Sequence, residues 1–182
     1  MLPTDYSIRQ AIATIITATD TAAVVLPKFV LDVITGENAN LLKPTSGADS
    51  GKIHGWMITR GRGTNTRQGS VRWDTNDPAT SYRLDSTISY RLWFFYRYAH
   101  GDEGAGTDST RTFYTLLDDV TEAFALNPRL NIATTECGAG SHIKQHSELQ
   151  IEDDPDIVAM GAEWAHFAAC RLEVELYRTP AD

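Results

Sequence analysis

The segment from Glu163 to Arg178 constrains this chain more than any other. Trp164, His166, Ala168, Cys170, Leu172, Val174 and Leu176 alternate there with Phe167, Arg171, Glu173, Glu175 and Tyr177. A period of two residues predicts a β-strand, because successive side chains leave opposite faces of the pleat. From Trp164 to Cys170 the segment is uncharged on both faces apart from His166, and its second half is apolar on one face only. Strands average roughly 5–6 residues, so one this long must bend, bulge or run past its own domain. An overhanging strand leaves a row of unpaired amides and carbonyls, and a second subunit is expected to cover that edge.

A second alternation runs from Thr87 to Tyr98. It sets Ile88, Tyr90, Leu92, Phe94, Tyr96 and Tyr98 against Ser89, Arg91, Trp93, Phe95 and Arg97. Shorter strands are predicted at Ile53–Arg60, Val71–Trp73, Ile132–Glu136 and His146–Ile151. Ile8, Ile12, Ile15 and Ile16 form the apolar stripe of an N-terminal helix, with Thr4 or Asp5 to cap it. Thr21–Thr35, interrupted by Pro27, is expected to form a short helix that Gly36 ends. Ser109–Leu126 is a helix with Phe113, Leu116, Leu117, Val120 and Phe124 on its buried side, stopped by Asn127 and Pro128. Glu37–Gly51, His100–Asp108 and Glu152–Asp156 read as loops. Strict βαβ alternation is missing, so the predicted fold is α+β: a mostly antiparallel sheet flanked by two main helices on one face, with long loops. The 182 residues suit a single domain, with a long polar loop region at about 36–86.

Hydrophobic residues make up 42% of the chain, enough for a core, and no apolar run is long enough to span a bilayer. Met1–Gln10 lacks the basic start and apolar stretch of a signal peptide, so synthesis and folding in a cytoplasm are expected. Cys137 and Cys170 form no CxxC pair, and a reduced compartment is the default. A net charge of −8 argues against sequence-independent nucleic-acid binding by the whole surface.

Candidate chemistry fails on spacing or charge. The glycines of "RGRGTNTRQG" and "HGDEGAGTDST" lack the lysine and hydroxyl of a phosphate loop, and Asp102, Glu103 and Asp108 would repel an anion at the second. His142 and His146, with Cys137 nearby, could begin a metal site. On a strand, however, that pair would share a face about 13 Å apart. Asp118 and Asp119 point about 100° apart on a helix and make no acid–base pair. His166, on the apolar face of the closing strand, reads as a satisfied core histidine. The expectation is a protein without catalytic residues, metal or cofactor.

One charge pattern is less bland. Lys52, Arg60, Arg62, Arg67 and Arg72 occupy Lys52–Trp73 without an acid, whereas Glu148, Glu152, Asp153, Asp154, Asp156 and Glu163 occupy Ser147–Glu163 without a base. Arg60, Arg62, Arg67 and Arg72 could meet Glu152, Asp153, Asp154 and Asp156 across a head-to-tail contact between copies, the kind that closes into a ring. The bland alternative is two solvated loops that never meet. The basic segment could also touch DNA phosphates.

The order of elements resembles that of tail-terminator and head–tail joining proteins of long-tailed bacteriophages. The resemblance is carried by the amphipathic "YSIRQAIATII", the aromatic "ISYRLWFFYRYAHG" after a long polar stretch, the helix "DSTRTFYTLLDDVTEAFALNPRLN" and the closing "WAHFAACRLEVELYR". It covers about Tyr6 to Tyr177, and Gly36–Asp85 departs most. It implies a non-enzymatic virion protein at the head–tail junction, assembled in the bacterial cytoplasm as a ring, typically a hexamer. Its implied partners are the tail-tube protein and the neck or connector proteins, with passing DNA as a further contact and no membrane. A neck adaptor that contacts DNA is the alternative, and a metal-dependent enzyme using residues 137–156 is a more distant one.

Overall fold

A computed structural model describes residues 5–27, 39–60, 84–98, 107–130, 141–152 and 155–178. Helix α1 (Asp5–Thr19) buries Ile8, Ile12, Ile15 and Ile16, the stripe its spacing predicts. Asp5 sits in its first turn and pairs with Arg9 at 2.6 Å, one turn along. The chain then turns into strand β1 (Val24–Leu26), so residues 21–27 do not begin the short helix expected for Thr21–Thr35. Val24 and Val25 are β-branched and favour extended backbone, and β1 finds backbone partners by pairing in parallel with Gly55–Met57. The rest of that predicted helix lies outside the described residues.

A single 3₁₀ turn (Asn40–Leu42) precedes β2 (His54–Arg60), and β3 (Leu84–Arg97) pairs antiparallel with β2. Helix α2 (Thr107–Leu126) follows, with Phe113, Leu117, Val120 and Phe124 buried. Beyond it come β4 (Ser141–His146), β5 (Gln150–Ile151), β6 (Asp156–Met160) and β7 (Glu163–Arg178). The expected strands at Val71–Trp73 and Ile132–Glu136 lie outside the described residues. The architecture is α+β, with seven strands among the described residues in one mostly antiparallel sheet and the two helices packed on one face.

The long closing strand does not overhang. β3 lines one side of β7 from Ala165 to Arg178, and β6, β5 and β4 line the other side in succession. The edge expected to need another subunit is therefore filled by this chain's own strands. The turn between β6 and β7 is Gly161–Ala162, with Gly161 at φ +70. That geometry suits a tight hairpin whose first central residue is glycine. Residues 141–178 thus form one long hairpin whose outer arm is repeatedly bulged. Pairing steps from Ile143↔Leu176 to Gln145↔Glu175, and from Ile151↔Cys170 to Asp156↔Phe167, so the outer arm uses more residues than β7. Extra residues bend and twist a strand, which is how a partner follows β7 along its length. Asp156, expected in the acidic loop Glu152–Asp156, instead opens β6, and residues 153–154 of that loop lie outside the described residues.

The core lies between the helices and the even-numbered positions of β2, β3 and β7. Phe94 is its centre: its ring stacks on Trp56 at 4.2 Å and 10°, and on Phe113 at 5.1 Å and 5°. One aromatic stack thereby ties β2, β3 and α2 together. Offset stacked pairs of this kind add about 0.5–1.5 kcal/mol each beyond the area they bury.

Candidate functional site

The face of the sheet opposite the helices has two unlike halves. At one end Ala39, Leu42 and Ile53 lie over Met57, Phe95, Met160 and Ala165, closing a second, smaller apolar cluster. Half-buried Trp93 and Phe167 border it, their rings 5.7 Å apart. Trp93 Nε1 donates to Thr59 Oγ1 at 2.9 Å. The other half is ionic. Arg91 lies 6.0 Å over the Trp93 ring and reaches Glu152 with Nε to Oε2 at 2.9 Å. Arg171 pairs with Glu173, and Gln145 Nε2 donates to Glu175 Oε2 at 3.1 Å. Odd-numbered positions of β3 and β7 supply this face, and their segregation into an apolar end (Trp93, Phe95, Phe167) and a charged end (Arg91, Arg171, Glu173, Glu175) makes it amphipathic along its length.

Arg60 is exposed at the end of β2, opposite Tyr90 in the register and therefore on the helix-bearing side. It lies close enough to the Tyr90 phenol to oppose that group's upward shift, which burial and then Asp5 impose. Glu152 belongs to the other face and is already held by Arg91. Exposed Asp156 accepts from the Ile157 amide at 2.7 Å. Arg62, Arg67, Arg72, Asp153 and Asp154 lie outside the described residues. The described members of the basic and acidic segments do not meet within one subunit, and Arg60 and Glu152 mark opposite sides of the sheet.

The histidines resolve differently from the spacing argument. The bulge between Ile143 and Gln145 inverts the alternation of β4: position 142 pairs with Tyr177 and position 146 with Val174. The two positions fall on opposite faces and not, as expected of a regular strand, on one. His146 is held between backbone carbonyls, Nε2 at 2.8 Å from Asn127 O and Nδ1 at 2.5 Å from Ser147 O. Among the described residues no three His, Cys, Asp or Glu side chains group as a metal site. Cys137 lies outside them. His166 is buried against Phe113, whose ring is 5.2 Å away, and burial lowers its pKa. Its Nε2 lies 3.4 Å from Ser109 Oγ, so it is the core histidine that its place in the alternation suggests.

A buried polar cluster escaped the sequence reading. Asp20, just past α1, and His54, which opens β2, are each 2% exposed. His54 Nε2 lies 3.0 Å from Asp20 Oδ2 and Nδ1 lies 2.9 Å from Asp49 Oδ2. Trp56 Nε1 donates to the same Asp20 oxygen at 3.1 Å, and Arg97 Nε approaches Asp49 at 3.7 Å. Burial opposes a charge on His54, but the hydrogen bonds and charges of Asp20 and Asp49 outweigh it, and its pKa stands above the ordinary value. Both ring nitrogens are occupied and His54 and Asp20 are buried, so the role of the cluster here is to hold α1, the 44–52 loop and β2 together. An aspartate soon after a helix end and another five residues before a lone histidine was the available signal.

No protein-family model matches the chain, and no curated protein matches it either. Among the described residues no helix is long and apolar enough to cross a membrane.

Proposed function

We propose that this chain is a virion structural protein of the head–tail interface, a tail terminator that assembles as a ring, capping the tail tube and joining it to the neck. The reading rests on the resemblance in element order, from amphipathic helix through aromatic strand and second helix to long closing strand. The observation that carries its physical side is the helix-free face. It sets half-buried Trp93 and Phe167 beside the Arg91–Glu152 and Arg171–Glu173 pairs. Aromatic and arginine side chains together suit a protein contact, where flat rings and planar guanidinium groups bury much area at small entropic cost. Exposed Arg60 and exposed Asp156 carry charges of opposite sign on different sides of the sheet, which suits a head-to-tail contact.

Light scattering after size exclusion, alone and with purified tail tubes, tests the proposal. Ring-sized particles, or a ring formed only on tubes, are the expected result. A protein that stays monomeric at high concentration and leaves tail tubes unbound would overturn it.

A further inference from the structure

We propose that His54 is a pH-sensitive latch that fastens the 44–52 loop to the body of the protein and loosens it as the medium turns alkaline. This stands independently of the ring reading.

Each ring nitrogen of His54 faces a carboxylate oxygen, Asp20 at 3.0 Å and Asp49 at 2.9 Å. A neutral imidazole carries one N–H, whereas the imidazolium carries two. Only the protonated ring donates to both acids; the neutral ring must turn a lone pair toward one of them. Asp20 has 1% of its side chain exposed and Asp49 has 15%. An unpaired acceptor costs more the deeper it is buried, so the remaining N–H stays with Asp20 and Asp49 is released.

Pro44 is buried and anchors the start of the loop, and Asp49 ties down its far half. The bonds of Gly51 N to Pro44 O at 2.9 Å, Ser50 N to Gly47 O at 3.2 Å and Lys52 N to Asp49 O at 2.9 Å join the loop to itself. Gly47 and Gly51, at φ +88 and +73, give it its shape. Its described charged link to the body is the Asp49 carboxylate, to His54 and, at 3.7 Å, to Arg97 on β3.

The uncharged Phe94 ring lies 6.3 Å from the imidazole. Past the end of α1 stands Asp20, with Trp56 sharing its oxygen. From the loop comes Asp49, and from β3 come Arg97, reached through Asp49, and the Tyr96 ring, edge-on at 5.0 Å. Trp56 leaves buried Asp20 a partner when the ring is neutral, whereas Asp49 keeps, among the described residues, only the 3.7 Å approach of the part-exposed Arg97, so the loop loosens while the sheet and helices stay folded.

The sign follows from the raised pKa of His54. Its contribution is fully present below the ordinary histidine value of about 6.5 and is lost as pH rises through the higher folded value. Amide hydrogen exchange, corrected for the intrinsic rate at each pH, tests this on the whole chain. Protection of the Ser50, Gly51 and Lys52 amides should be lost progressively between about pH 6 and about pH 9, while amides in the middle of α1 keep theirs. In Asp49→Ala, which leaves nothing for Nδ1 to bond, the loop should be loose at both pH values and insensitive to the change. Loop protection that is flat with pH in the wild type would overturn the latch. So would protection that falls in step with α1, which would mean global unfolding, or Asp49→Ala retaining the wild-type pH response.

Discussion

Replacing Gly55 by alanine asks whether the second cluster is packed as tightly as it looks. A Cβ at Gly55 would stand 2.8 Å from the carbonyl oxygen of Val24 and 2.9 Å from Cδ2 of Leu42, with Leu42 Cβ at 3.3 Å. The carbonyl belongs to β1, which pairs with β2 at Val24↔Gly55, so it cannot retreat without straining that ladder. Leu42 is 1% exposed and its Cβ is also close, so a rotamer change relieves only part of the clash. Overpacking of this kind costs about 1–3 kcal/mol, and the backbone obstacle puts Gly55→Ala near the top of that range. Alanine regains roughly 0.5–1 kcal/mol of chain entropy over a strand glycine, leaving a net loss of about 2 kcal/mol. Urea unfolding reads this as a lower midpoint at constant slope. Leu42→Ala as partner isolates the cause: removing Cδ2 should shrink the cost of Gly55→Ala by about 0.5 kcal/mol or more, leaving the carbonyl clash. A neutral or stabilising Gly55→Ala would refute the packing argument, and strict additivity would refute the part assigned to Leu42.

Two further outcomes follow from buried groups. Tyr90 donates to Asp5 Oδ1 at 3.0 Å, so Tyr90→Phe should cost ~1 kcal/mol in the same unfolding assay. Burial first and Asp5 second push the Tyr90 phenol far above its ordinary value, so an ultraviolet titration should lose no tyrosine signal when Tyr90 becomes Phe until the protein unfolds. The Cys170 thiol is pushed up to about 12, by burial and then by Glu152. In a Cys137→Ser background a thiol reagent at neutral pH should therefore label Cys170 only on unfolding, and rapid native labelling would contradict its place in the core.

Period was legible in the sequence and tertiary pairing was not. Glu163–Arg178 alternates so regularly that the sequence reading and the strand share their bounds, and the isoleucine stripe marks α1 for the same reason. Three residues of β1 carry no period, and their partner lies about thirty positions away in parallel, so Val24–Leu26 was absorbed into an expected helix. β6 was missed because Ile157, Val158 and Ala159 follow an acidic run, while what makes them a strand is the tight turn at Gly161 and the waiting edge of β7. Bulges are invisible for a related reason. An extra residue in β4 answers the twist of its neighbour, so His142 and His146 keep their spacing in sequence and lose their common face. The His54 cluster is non-local too: Asp20 is 34 residues upstream and Asp49 five. Of the residues expected to meet a partner, Arg60, Glu152 and Asp156 now have positions.

The pairing of β7 changes what kind of assembly the proposal can mean. An unpaired edge would have invited a second copy to extend the sheet, with backbone hydrogen bonds supplying the contact. Among the described residues the edges beside β2 and β7 are β1, three residues long, and the bulged succession β4, β5 and β6. A very short edge and a bulged edge both resist strand addition, whereas β3 over Leu84–Ser89 pairs with β7 on one side and has no described partner on the other. Away from that stretch, a ring built from this chain would join through faces and loops, where side chains and not backbone set the geometry. Side-chain contacts carry charge, and charge makes an interface directional. With Arg60 on the helix side and Glu152 on the other, such a ring should weaken as salt screens its contacts over the ~10 Å Debye length at 0.1 M. A sheet continued from copy to copy would be far less sensitive to salt.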